Sequence, residues 1–241
     1  MTDDADELDR RWDERWDEVH EAFDLGEFGR AQALIDRLAK ELGDDDPDVL
    51  YERAILRWEQ HGPAQAIALL DELLRVEPEH ADGHYARGFA CEEAGDREGM
   101  IDHFLEVLRL DTLLAEDLAV GTEDNLDFIE TTAEHALARV PSEFREYLHN
   151  VPIVLENRPH PDIVREGFDP RALGLFEGLE HSRIEGGDHL APTRIVLFHG
   201  NLLANFPDRE QLANEVEITL LHELGHFFGL DEDDVERLGL E

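Results

Sequence analysis

A repeat with a period of 34 residues is the feature that most constrains how this chain of 241 residues can fold. Segments 47–80 and 81–112 align at this spacing, and an earlier copy, 12–46, aligns at a spacing of 35. Each copy contains two segments with helical apolar periodicity, joined by a short turn that contains a glycine. Each copy is therefore predicted to be a helical hairpin that buries its apolar face against the neighbouring copies.

The third copy shows the pattern most clearly. It places Tyr85, Gly88 and Phe104 at matching positions, and the small residues Gly88 and Ala90 let the two helices approach closely. In these positions the copy resembles the tetratricopeptide repeat. The resemblance implies an all-α domain of three repeats over residues 1–112, with a protein partner docked on it. A generic helical bundle is the alternative.

The pattern changes in the second half of the chain. Residues 113–140 still have helical spacing, with a break at Gly121 and Thr122 as the next N-cap, so they form either a cap on the repeats or a linking helix. Short apolar runs bounded by glycine or proline then predict strands at 151–155, 172–178 and 194–198. A long helix is predicted over 209–229, capped by Asp208. The second domain, 113–241, is thus α/β with a small sheet, and the whole chain is α+β.

The long helix contains the sequence His222-Glu223-Leu-Gly-His226. His222 and His226 are four residues apart, so they project from one helix face and can bind one metal ion. Glu223 is rotated around the helix from His222 and can reach a metal-bound water without occupying the metal. Zinc in such a site lowers the pKa of the water to about 7, which makes Glu223 a candidate general base for the hydrolysis of a carbonyl compound.

The surroundings of this motif favour a catalytic site over a surface histidine pair in a glutamate-rich protein. The residues before it are apolar at 216, 218, 220 and 221, as in a half-buried helix. Gly229 ends the helix soon after the second histidine, and a run of acids follows at 231–234. A catalytic zinc site needs a third protein ligand beside an open position, and an acid after the turn can supply it.

Residues 141 to 241 resemble the small bacterial zincin-like, or minimal, metallopeptidases. The matching stretches begin at Pro141, Val151, Gly174, Arg194 and Leu221, in that order along the chain. The resemblance implies a zincin-like fold, zinc as the cofactor and peptidase activity. It also implies Glu232 as the third zinc ligand, because that acid stands three residues past Gly229, while Asp231 and Asp234 remain alternatives.

The other candidate residues are expected to have structural roles. His199 follows a predicted strand, and a satisfied histidine is favoured there over a ligand. His181 and His189 lie in a glycine-rich loop and are expected to face solvent. Glu177 and Arg194 are expected to be strand-end charges, although they could line a cleft, and Cys91 is expected to lie in the core of a repeat.

The charge balance excludes several functions. With 60 acidic and 21 basic residues, the formal net charge is −39, so the chain is not expected to bind nucleic acid or an anionic membrane surface. A single cysteine cannot form an intramolecular disulfide, which indicates a reducing compartment. The acidic N-terminus lacks the apolar stretch of a signal peptide, and no run is long enough to span a membrane. These features predict a cytoplasmic protein.

The leading functional hypothesis is a zinc-dependent peptidase that cleaves peptide bonds with a metal-activated water, with repeats that recruit a protein partner or substrate. Two alternatives remain open. In the first alternative, the chain is an interaction scaffold with an inactive or structural metal site. In the second, it is a zinc hydrolase of a non-peptide substrate. Glu223 favours catalysis, because a purely structural metal site has no use for a base at that position.

Overall fold

The computed structural model describes residues 3–118, 120–142, 147–148, 151–178 and 193–231, with side chains from residue 12 onward. The chain divides into two compact units, Met1–Val107 and Leu108–Glu241. The first is all helical, and the second combines helices with a small sheet, so the α+β class predicted from the sequence is confirmed.

Six helices begin in the first unit, and they form the predicted hairpins. Their bounds are α1 Asp3–Asp24, α2 Phe28–Leu42, α3 Pro47–His61, α4 Pro63–Val76, α5 Ala81–Glu93 and α6 Arg97–Leu118. Helices α3 and α5 begin where the second and third repeats were predicted to begin, whereas α1 starts upstream of residue 12. The turns contain Gly26, Gly62 and Gly95 with φ of 65°, 84° and 74°, a left-handed conformation that glycine adopts without steric cost.

Close helix packing holds the third hairpin together. A Cβ atom on Gly88 of α5 would lie 2.5 Å from the ring of Phe104 on α6, so a glycine is needed where these helices meet. Cys91, on the same helix, is buried as expected. Burial raises the pKa of its thiol, although Arg87 beside it has the opposite effect. The thiol therefore acts as a core side chain.

Among its described residues, the second unit contains three strands and four further helices. The helices are α7 Glu123–Arg139, α8 Pro161–Arg165, α9 His199–Asn205 and α10 Arg209–Phe227, and the strands are β1 Ile153–Glu156, β2 Gly174–Glu177 and β3 Arg194–Phe198. All three predicted strands are present, within two residues of the predicted ends. Thr122 caps α7 as predicted, with its hydroxyl oxygen accepting from the N–H of Asn125 at 3.3 Å.

The three strands form one sheet in the order β1-β3-β2. β1 pairs with β3 in parallel, with Val154 opposite Val196, and β2 pairs with β3 antiparallel, with Leu175 opposite Val196. The central strand β3 is buried from Ile195 to Phe198, as expected for a strand covered on both faces. Helices α7 and α10 pack against this sheet around one apolar core, and β2 lies at a sheet edge among the described strands.

Buried polar contacts fix the chain just before β2. Asp111, near the end of α6, accepts two hydrogen bonds from the Arg171 guanidinium, at 2.8 and 3.1 Å. Asn201 of α9 donates to the carbonyls of Pro170 and Ala172, at 3.0 and 2.6 Å, and accepts a hydrogen bond from the buried Arg158. These contacts join α6, α9 and the 170–172 segment, and so hold in place the segment that leads into β2.

Candidate metal centre and active site

Helix α10 carries the histidine pair, and its sequence fixes the helix at both ends. The Asp208 carboxylate accepts hydrogen bonds from two backbone N–H groups of the first turn, which confirms the predicted cap. At the other end Gly229 has a φ of 82°, and the Leu230 N–H donates to the carbonyl of Gly225 at 3.0 Å. One face of the helix packs on the core through Leu212, Val216, Leu220 and Leu224. The positions of the remaining side chains follow from this packing.

The two histidines face each other from successive turns. Their Nε2 atoms are 3.0 Å apart. Two ligands of a tetrahedral zinc with Zn–N distances near 2.05 Å would be about 3.3 Å apart. His226 Nδ1 lies 3.3 Å from the carbonyl oxygen of Leu230, and a proton donated there leaves a lone pair on Nε2. The pair therefore fits two ligands of one zinc ion.

Glu223 lies next to the pair on the side facing the sheet. Glu223 as a whole is only 7% exposed to solvent. It packs against β2 so closely that a Cβ atom on Gly174 would be 3.0 Å from both Cγ and Oε1 of Glu223. Glycine at position 174 thus leaves room for the carboxylate, and β2 restricts where that carboxylate can move.

A cleft of about 560 Å³ lies between α10 and the 172–176 segment, within the size range of small-ligand sites. His222, Glu223 and His226 all line it. The lining is otherwise mostly apolar, with side chains from Phe168, Leu173, Leu175, Phe176 and Ile218. The cleft therefore brings a candidate metal pair and a carboxylate together in a largely apolar environment.

The residues predicted as a third ligand are described only in part. Glu232 and the alternative Asp234 fall outside the described residues, as do His181 and His189. Asp231 is described and is exposed. Within the described ranges, no group of three or more His, Cys, Asp or Glu side chains is placed to hold a metal ion.

Two segments of the chain match known families. Residues 148–240 match the family model described as Zincin-like metallopeptidase. This part of the second unit is therefore similar to the zincin-like metallopeptidases. Residues 51–113 match a Tetratricopeptide repeat model, which confirms the assignment of the helical hairpins. A search of curated proteins found no match to this chain.

None of the helices in the described part of the chain has both the length and the apolar character that crossing a membrane requires.

The remaining predicted candidates lie away from the cleft lining. Arg194 donates to Glu177 at 2.6 Å and to Glu156 at 2.8 Å, so these residues form an ion-pair cluster across the strand ends. The positions of Arg194 and Glu177 agree with the strand-end charges expected from the sequence. His199 begins α9, where burial, and then the charge of Arg158, lower its pKa. Its Nδ1 atom is buried and has no hydrogen-bond partner among the described residues, so the satisfied histidine expected from the sequence is not observed.

Two residues of the cleft have positions that the sequence pattern does not predict. The pattern places Gly174 in a strand and at the start of a stretch that resembles the family, but it does not show that the missing side chain makes room for Glu223. Glu215 lines the cleft as well, two turns before His222. The helical spacing of 215, 219, 222 and 226 places these four positions on one face, and that signal could have identified Glu215.

Proposed function

We propose that this chain is a zinc-dependent metallopeptidase whose tetratricopeptide repeats recruit a protein partner or substrate. His222 and His226 would hold the zinc, with Glu232 as the third protein ligand. The observation that carries this proposal is the pair of Nε2 atoms 3.0 Å apart, in the same cleft as the buried carboxylate of Glu223. The zincin-like match supports it.

The zinc, Glu223 and the lining of the cleft would have separate chemical roles. When bound, zinc would supply Lewis-acid chemistry, polarising a carbonyl and making a water more acidic. The Glu223 carboxylate would accept the proton of the attacking water and pass it to the nitrogen of the leaving amine. Gly174 leaves room for this carboxylate beside β2. The apolar lining limits the access of other water molecules.

Strand β2 provides a place for the substrate backbone. It pairs with β3 on one side, and among the described strands none pairs with its other side. The backbone of 172–176 also lines the cleft. An extended peptide that pairs with this outer edge would pass the histidines and Glu223, so the edge strand favours a peptide over a small non-peptide substrate.

Metal content tests the ligands. The purified wild-type chain should contain one zinc per chain by mass spectrometry, and the His222→Ala/His226→Ala variant should contain almost none. A matched control replaces two exposed histidines, His61 and His135, by alanine and should keep the zinc. Equal zinc in the wild type and the His222/His226 variant would exclude this site.

Hydrolysis of an unfolded protein and of a peptide library tests the chemistry. Glu223→Gln should keep zinc and lose hydrolysis, because the amide cannot accept a proton. Glu210→Gln, an exposed change on the same helix, should remain active. A zinc-loaded wild type that cleaves no peptide bond would instead favour an interaction scaffold or a hydrolase of another substrate class.

A further inference from the structure

The cleft contains a carboxylate that the proposed chemistry does not use. Glu215 lines the cleft on the same face of α10 as His222. Seven residues separate them, which corresponds to about 10 Å along a helix with a rise of 1.5 Å per residue. Glu215 therefore lies at one end of the cleft, and the candidate metal centre lies at the other.

The described surroundings leave the charge of Glu215 uncompensated. Among the described residues, no arginine, lysine or histidine lines the cleft near it except the histidine pair itself, and no ion pair or hydrogen bond to Glu215 is formed. By contrast, Glu217 on the same helix pairs with Arg139. Burial alone raises the pKa of Glu215. A half-buried carboxylate in this state is stabilised when a cation approaches it.

We propose that Glu215 determines specificity by binding an arginine or lysine side chain of the peptide substrate. This inference rests on the proposed peptidase function. An extended peptide rises about 3.3 Å per residue, so a distance of about 10 Å places the basic side chain two or three residues from the scissile bond. The net charge of −39 adds to this preference, because it attracts basic segments to the protein before they reach the cleft.

The surplus of acids in this chain provides the competing explanation, in which Glu215 is one more acid without a function. The cleft argues against it. Of the 60 acidic residues, only Glu215 and Glu223 are among the described residues that line this cleft, and the other lining side chains are mostly apolar. A charge placed between apolar side chains costs free energy unless a ligand compensates it.

Matched peptides test the proposal. Each carries arginine or its neutral analogue citrulline at one position on either side of a cleavage site found with the library. For wild type, kcat/KM should be about tenfold higher for the arginine peptide at one of these positions, since a charged hydrogen bond in a half-exposed cleft is at the lower end of its range. Glu215→Gln should bring this ratio close to one while citrulline peptides are still cleaved, and Glu215→Arg should favour peptides with glutamate there. Glu210→Gln should keep the wild-type ratio.

A binding measurement separates this inference from the peptidase proposal. Fluorescence anisotropy of labelled arginine and citrulline peptides is measured on the zinc-loaded wild-type chain and on Glu215→Gln. Selective binding of arginine without cleavage would support Glu215 and refute the peptidase function. Cleavage with equal rates for arginine and citrulline at every position would support the peptidase and overturn the role of Glu215. A chain that neither cleaves nor prefers arginine would overturn both.

Discussion

Replacing Gly174 by alanine tests how β2 positions Glu223. The added Cβ atom would lie 2.7 Å from Cγ2 of Thr219 and 3.0 Å from Cγ and Oε1 of Glu223. Carbon atoms in contact are normally about 3.5–4.0 Å apart, so β2 and α10 must separate by about 1 Å. Overpacking of this size costs about 1–3 kcal/mol. A displacement of about 1 Å at a reacting group lowers kcat/KM by about 100-fold.

The loss of stability should be confined to the second unit. All three tryptophans, Trp12, Trp16 and Trp58, lie in the repeats, so tryptophan fluorescence reports unfolding of the first unit. Gly174→Ala should leave that transition unchanged while calorimetry shows earlier unfolding of the second unit. Zinc content should be retained, since the three atoms nearest to the new Cβ atom belong to Thr219 and Glu223 and not to a histidine.

Two variants complete this test. Gly29→Ala in helix α2 is a matched control, because nothing lies within 4 Å of its Cβ position, and it should leave activity unchanged. Thr219→Ser removes the methyl group with the closest contact, so Gly174→Ala/Thr219→Ser should recover part of the stability and activity. A Gly174→Ala variant with wild-type calorimetry and wild-type kcat/KM would refute the close packing of β2 on Glu223.

Four further predictions follow from the same structure. Single alanine variants of the acids at 231–234 should lose zinc affinity most strongly at Glu232; unchanged binding there, with a loss at Asp234 or Asp231, would transfer the role of ligand. Asp111→Asn should destabilise the second unit by about 3 kcal/mol in calorimetry, because Asp111 accepts two hydrogen bonds from Arg171 in a buried cluster, and an unchanged transition would contradict this. Residues 1–112 should unfold cooperatively on their own in circular dichroism, and a fragment without helical cooperativity would contradict the repeat domain. Burial, and then the charge of His84, lower the pKa of His103 to about 4, below its unfolded value of about 6.5, so its contribution to stability should be complete above pH 6.5 and fall towards pH 4. Urea unfolding followed by tryptophan fluorescence should then show that His103→Gln loses less stability than wild type as the pH falls across this range. Equal losses of stability would show that His103 does not cause the pH dependence.

Features that depend on neighbours along the chain could be predicted from the amino-acid sequence. The hairpin period, the glycine turns and the caps at Thr122 and Asp208 are local, because each depends on residues a few positions apart. The histidine pair belongs to this class too. Residues four apart on a helix meet wherever that helix lies, so their mutual approach could be predicted without the fold.

The packing of β2 on Glu223 could not be predicted without the tertiary structure. Thr219 and Glu223 lie on α10, far along the chain from Gly174, and no local pattern reveals their contact. The same holds for the pairing of Arg171 with Asp111, sixty residues apart. Strand order has a similar origin. Short apolar runs predict three strands, but the packing of α7 and α10 on the sheet decides that β3 lies in the centre and β2 at an edge beside the cleft.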